Sequence, residues 1–150
     1  MYKKIMVPLD GSVLSESVLP HLKSFIGGFP DAEVVFVRVV EPASVHASAE
    51  FTNVDELIER DSIMKSTAEE YLERLVDRLE YGETKLTTKV IIGKLEDSLV
   101  HFVSENDVDL IIIATHGRSG IDRWVRGSVA EKILRSSNVP VMMVRVQVKS

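Results

Sequence analysis

Cysteine is absent from the 150 residues, so the chain has no disulfide staple, no thiolate zinc site and no thiol nucleophile. Histidine is scarce. The four residues, His21, His46, His101 and His116, are scattered and form no metal-ligand spacing. No apolar run approaches the length of a membrane span. The short run at the N-terminus, Ile5-Met6-Val7-Pro8-Leu9, is broken by Pro8 and reads as a buried strand, not a signal peptide. Positive charge is in the minority, with 18 Lys and Arg against 23 Asp and Glu, and the net charge of -5 repels nucleic-acid backbones. The expectation is a cytoplasmic protein with neither a nucleic-acid nor a membrane partner.

What is present is ordinary for a globular protein: 45% hydrophobic and 27% charged residues, in a length suited to a single domain spanning residues 1–150. Short Val- and Ile-rich runs alternate with segments of helical periodicity, the pattern of βαβ units around a parallel sheet. Strands are expected at 4–9, 33–40, 86–92, 109–115 and 139–148. Helices are expected at 15–26, stopped by Gly27-Gly28, at 54–81 behind an Asn53/Glu56 capping box, at 97–106, and at 128–136. The polar stretch 41–53 reads as a connection within the domain.

The segment richest in chemistry runs from Leu110 to Glu131. A buried strand ends in Ala114-Thr115-His116 and empties into Gly117-Arg118-Ser119-Gly120, and Gly127-Ser128-Val129 opens the next helix. Open α/β sheets bind ligands at the carboxyl ends of their strands. Glycines there admit phosphate oxygens to backbone amides, and a helix N-terminus favours an anion. Arg118, Arg123 and Arg126 add positive charge to the same stretch. A second reading fits the same residues: Ser128-Val129-Ala130-Glu131 is a capping box, and Gly117 and Gly120 are turn residues.

This segment resembles the nucleotide motif of the ATP-binding universal stress proteins, in which two glycines separated by two residues precede a Gly-Ser or Gly-Thr by nine. Gly117, nine intervening residues and Gly127-Ser128 match that spacing, and Ala114 stands where the motif has its first glycine. Lys3-Lys4-Ile5-Met6-Val7-Pro8-Leu9-Asp10-Gly11-Ser12 resembles the family's first strand and acidic turn. Ser136-Ser137-Asn138-Val139-Pro140-Val141 resembles its closing helix-to-strand junction. The resemblance implies an open five-stranded parallel sheet with helices on both faces, Rossmann-like and of the adenine nucleotide alpha hydrolase-like type, dimerising through its last strand. It also implies a regulatory, stress-response protein that binds ATP, ADP or AMP, with Mg2+ beside the phosphates. Pro8, Leu9 and Asp10 then lie beside the nucleoside, Val39 meets adenine through its backbone, and Ala114, Thr115, Gly117, Arg118, Gly120, Gly127, Ser128 and Val129 line ribose and phosphates.

Two alternatives stand beside that reading: a nucleotide-free interaction module of the same fold, and a slow ATPase. The chain carries no Gly-x-x-x-x-Gly-Lys-Ser/Thr loop and no paired acidic residues at a two-metal spacing. His116 lacks an identifiable partner and nucleophile for acid–base work. His21 and His101 read as surface or packing residues. The closing run Val139 to Val148 is apolar and β-branched, and its place after the last helix makes it an expected sheet edge through which two copies pair.

Overall fold

The computed structural model describes residues 1–42, 53–116 and 128–146. Its strands are β1 (Lys4–Pro8), β2 (Glu33–Val40), β3 (Lys85–Ile92), β4 (Leu110–His116) and β5 (Val141–Val146). They form one parallel sheet in the order β3-β2-β1-β4-β5. A parallel sheet covered on both faces has continuous apolar strands, and Ile5, Met6 and Val7 on β1 and Ile111, Ile112 and Ile113 on β4 are all fully buried. The helices are α1 (Leu19–Ile26), α2 (Val54–Arg78), α3 (Leu95–Glu105) and α4 (Ser128–Ser136), with a 3-10 turn at Ser15–Val18 before α1.

Alternation along the strands divides the core in two. Ile5, Val7, Val34, Phe36 and Ile112 pack with Val18, Leu22, Leu72 and Leu75, so the 3-10 turn, α1 and α2 share one face. Met6, Val35, Val37, Ile111 and Ile113 pack with Leu99, Phe102, Val129 and Ile133, which places α3 and α4 on the other. The expected sheet with helices on both faces is the observed fold.

Element boundaries differ from the sequence reading where a local group overrides the pattern. The helix expected from Ser15 starts as a 3-10 turn because Pro20, in the first turn of α1, has no N–H to offer the Glu16 carbonyl. The Leu19 amide bonds it instead, three residues on. Gly27 follows α1 with right-handed backbone, so the stop there is not a left-handed glycine cap. The third helix begins at Leu95, two residues before the expected start, and carries Glu96 and Asp97 in its first turn, where the dipole favours acids. β5 begins after Pro140, and residues 147–148 of the expected strand lie outside the described residues.

The largest correction concerns α2. Its apolar periodicity runs from Leu57 to Leu79, yet only Ala68, Leu72 and Leu75 are buried, and Ile58 and Met64 are 62% and 44% exposed. The cause is length. Twenty-five helical residues span about 37 Å, whereas an eight-residue strand such as β2 covers about 26 Å. The helix therefore outruns the sheet that could bury it. Asn53 caps it by accepting from the Asp55 amide at 3.1 Å. It ends at Arg78, three residues before the expected stop, where Leu79 turns extended.

Leu72→Ala removes a fully buried side chain and is expected to cost about 2–5 kcal/mol, while Ile58→Ala on the overhanging half is expected to stay within about 0.5 kcal/mol. Urea unfolding of the two variants checks this. Equal losses would contradict the division of the helix.

Candidate functional site

The sheet order puts a topological switch between β1 and β4. From β1 the chain moves outward to β2 and β3, then returns to β4 on the other side, and crevices form at such points outside the carboxyl ends of the strands. Here the pairing itself stops early. The β1–β4 register holds at Ile5 with Leu110 and Met6 with Ile111, whereas β4 stays paired with β5 as far as His116 and β1 with β2 as far as Pro8. Beyond Met6, β1 and β4 part company.

The carboxyl ends of these strands hold several of the residues singled out from the sequence. Pro8 ends β1 and is buried, and the buried Leu9 donates its amide to the Val37 carbonyl at 2.9 Å. Both main chains are therefore fixed at the mouth of the crevice. Val39, half-buried, lies one residue before the end of β2 on the face of α3 and α4. Ala114 is 3% exposed, and its methyl belongs to the core cluster on the face of the 3-10 turn. A methyl thus packs into the core where the motif has its first glycine. Thr115 is half-buried beside it. Ser128 is the first residue of α4, and Val129 is fully buried against the sheet. Glu131, the far member of the expected capping box, pairs with Arg135 at 2.6 Å. Gly117, Arg118, Gly120 and Gly127 lie outside the described residues, as do Arg123, Arg126 and His46. His21 and His101 are exposed, as expected.

Asp10 leaves β1 into a tight turn. Its Oδ1 accepts from the Ser12 amide at 2.8 Å and from the Ser12 hydroxyl at 2.5 Å. The Asp10 amide donates to Ser15 Oγ at 3.3 Å, and Ser15 Oγ donates to the Ser12 carbonyl at 2.9 Å. Gly11 makes the turn possible with a φ of +87°, which a side chain rarely adopts. Burial by itself raises the Asp10 carboxyl pKa, but the bonds from Ser12 and Ser15 and the positive charge of Arg38 outweigh it. The carboxyl is held below its ordinary value of 3.8.

Sequence reasoning passed over Arg38. The signal was there: one guanidinium in the otherwise apolar run Val34-Val35-Phe36-Val37-Arg38-Val39-Val40. It lies over the Tyr71 ring, 5.4 Å from the centroid. Tyr71 in turn donates its hydroxyl to Glu16 at 3.0 Å, and Arg78 pairs with the same carboxylate. Burial, then the bond to Glu16 and its negative charge, push the Tyr71 hydroxyl well above its ordinary pKa, so it stays a donor.

A carboxylate with a lowered folded-state pKa stabilises above its unfolded value, and that contribution is lost as pH falls through the folded value. Asp10→Asn keeps an oxygen for Ser12 but removes the charge. It is expected to unfold at lower urea concentration than the parent chain at pH 7, with the gap closing as pH falls below 3.8. A gap constant from pH 3 to 7 would show that the charge plays no part.

The universal stress protein family model matches residues 1–145. Universal stress protein MJ0531 of Methanocaldococcus jannaschii is 30% identical, over 97% of this chain and 83% of its own length. The solved structure of protein MJ0577 from the same organism is 28% identical, covers 99% of both chains and superposes with a TM-score of 0.73. A universal stress protein family structure from Arabidopsis thaliana with AMP bound has 18% identity, covers 95% of this chain and 91% of its own, and has a TM-score of 0.64. Two others share the fold, one solved with cAMP and one from Archaeoglobus fulgidus with dAMP. With the family model spanning nearly its whole length, this chain belongs to the universal stress protein family.

Proposed function

We propose that this chain is a regulatory protein of one domain that binds an adenine nucleotide, ATP or its products ADP and AMP, in the crevice between β1 and β4. The observation that carries the reading is the early end of the β1–β4 pairing beside an ionised Asp10. In this reading the Asp10 carboxylate accepts a hydroxyl or amino hydrogen of the nucleoside. The main chains of Pro8, Leu9 and Val39 border the base, and Ala114 and Thr115 border the ribose. Phosphates then fall to Gly117, Arg118, Gly120, Gly127, Ser128 and Val129, where backbone amides and a helix N-terminus are suited to anions. The relatives solved with AMP, cAMP and dAMP support adenine as the base.

Among the described residues no three acidic or imidazole groups cluster to hold a metal ion. A Mg2+ accompanying ATP is read as carried by the phosphates. No helix among the described residues is long and apolar enough to cross a membrane. Calorimetric titration with ATP and with AMP tests the site. Binding is expected for the parent chain, and Gly127→Val, which blocks backbone approach to phosphate, is expected to weaken ATP at least about tenfold while the fold survives. Unchanged affinity in a folded Gly127→Val protein would remove the phosphates from that loop.

The reading includes a homodimer through the last strand, Val139 to Val148. β5 is an edge of the sheet, and Met143 on it is 39% exposed. The Ile111 amide donates to the Pro140 carbonyl at 3.0 Å with Ile111 in register with Val141. In a parallel ladder this alternation turns the amides of Met142 and Val144 toward β4 and that of Met143 toward the open edge. Sedimentation at micromolar concentration is expected to find a dimer, and Met143→Pro, which removes an outward amide, to yield a folded monomer. A Met143→Pro protein that remains dimeric would place the interface elsewhere.

A further inference from the structure

Arg38 sits two residues before the carboxyl end of β2, on the face of the sheet that carries α1 and α2. Its guanidinium is held on two sides. One is the Tyr71 ring of α2. The other is the backbone of Gly11: a Cβ there would overlap Arg38 Nη1, so the missing side chain is what lets the cation reach the turn. Nε is buried without a hydrogen-bond acceptor among the described residues. A donor left so is costly, and filling space does not account for a guanidinium in that position.

The charged groups around it come from three elements. Asp10 lies in the turn after β1, Glu16 in the 3-10 turn, and Tyr71 and Arg78 on α2. Glu16 is already engaged by the Tyr71 hydroxyl and by Arg78. The positive charge of Arg38 acts on Asp10, an acidic group among the described residues that follows the carboxyl end of β1. We propose that Arg38 is a positioning residue for the nucleoside end of the site: wedged between Tyr71 and Gly11, it holds the Asp10-Gly11-Ser12 turn so that Asp10 is presented as a fixed, charged acceptor. This rests on the adenine-nucleotide reading above, with Asp10 as the group that touches ligand and Arg38 acting through it.

Arg38→Met keeps the length of the side chain and drops its charge, and Arg38→Lys keeps the charge and drops the planar head. The two readouts are AMP affinity by calorimetry and titration of the Asp10 carboxyl by NMR in the protein without nucleotide, with circular dichroism to check the fold. Arg38→Met is expected to weaken AMP about tenfold and to move the Asp10 titration upward in pH, and Arg38→Lys to restore the titration and most of the affinity. Should Arg38→Met not fold, Arg38→Gln supplies the same uncharged comparison. Wild-type AMP affinity in a folded, uncharged variant overturns the proposal, and so does loss of affinity with the Asp10 titration unmoved, which is what a merely structural arginine would give. If the parent chain binds no AMP, the nucleotide reading falls by itself, and the Asp10 titration still decides whether Arg38 holds the turn.

Discussion

In a parallel sheet every strand must be entered from the same end, so each connection carries the chain back across a face before the next strand begins. That constraint gathers all the carboxyl ends on one edge and buries both faces under the returning helices. The apolar strands, the two separate core clusters and the position of the crevice follow from it. β1 sits in the middle of the order with the chain leaving it on one side and coming back on the other, so at its carboxyl end two neighbouring strands are free to diverge.

Polar chemistry at this edge has to be accommodated inside a hydrophobic frame. Asp10 and Arg38 bring opposite charges to adjacent strand ends, and each is surrounded by groups that belong to the fold: two serines and a left-handed glycine for one, an aromatic ring and the same glycine for the other. Tyr71 and Glu16 extend the contacts from sheet to helix. Partial burial strengthens such attractions relative to open water, and it also makes each partner's removal costly.

The strands and the α/β class were legible because a strand buried on both faces is apolar along nearly its whole length, as are the runs beginning at Ile5, Leu110 and, but for Arg38, Val34. The 3-10 turn was not anticipated, although its cause, Pro20, stands in plain view: periodicity reports which side chains face inward and is blind to which carbonyl lacks a donor. α2 shows the same limit. Its apolar residues repeat correctly from Leu57 onward, but a repeat says nothing about how far the neighbouring sheet extends. Arg38 was hidden differently, since a lone charge in an apolar run acquires meaning only when Gly11 and Tyr71 are seen beside it. Of the candidate site, the parts on strands and helices could be compared with structure, and the glycine loop itself falls outside the described residues.

The overhang of α2 divides that helix into a supported half and a free arm. Its second half is clamped to the sheet by Ala68, Leu72 and Leu75, and its first half projects beyond the support with Val54, Ile58 and Ile63 facing solvent. Tyr71 lies within the clamp, one turn past its first buried residue. The tyrosine ring that meets Arg38 therefore belongs to the half of the helix that the sheet supports, not to the free arm.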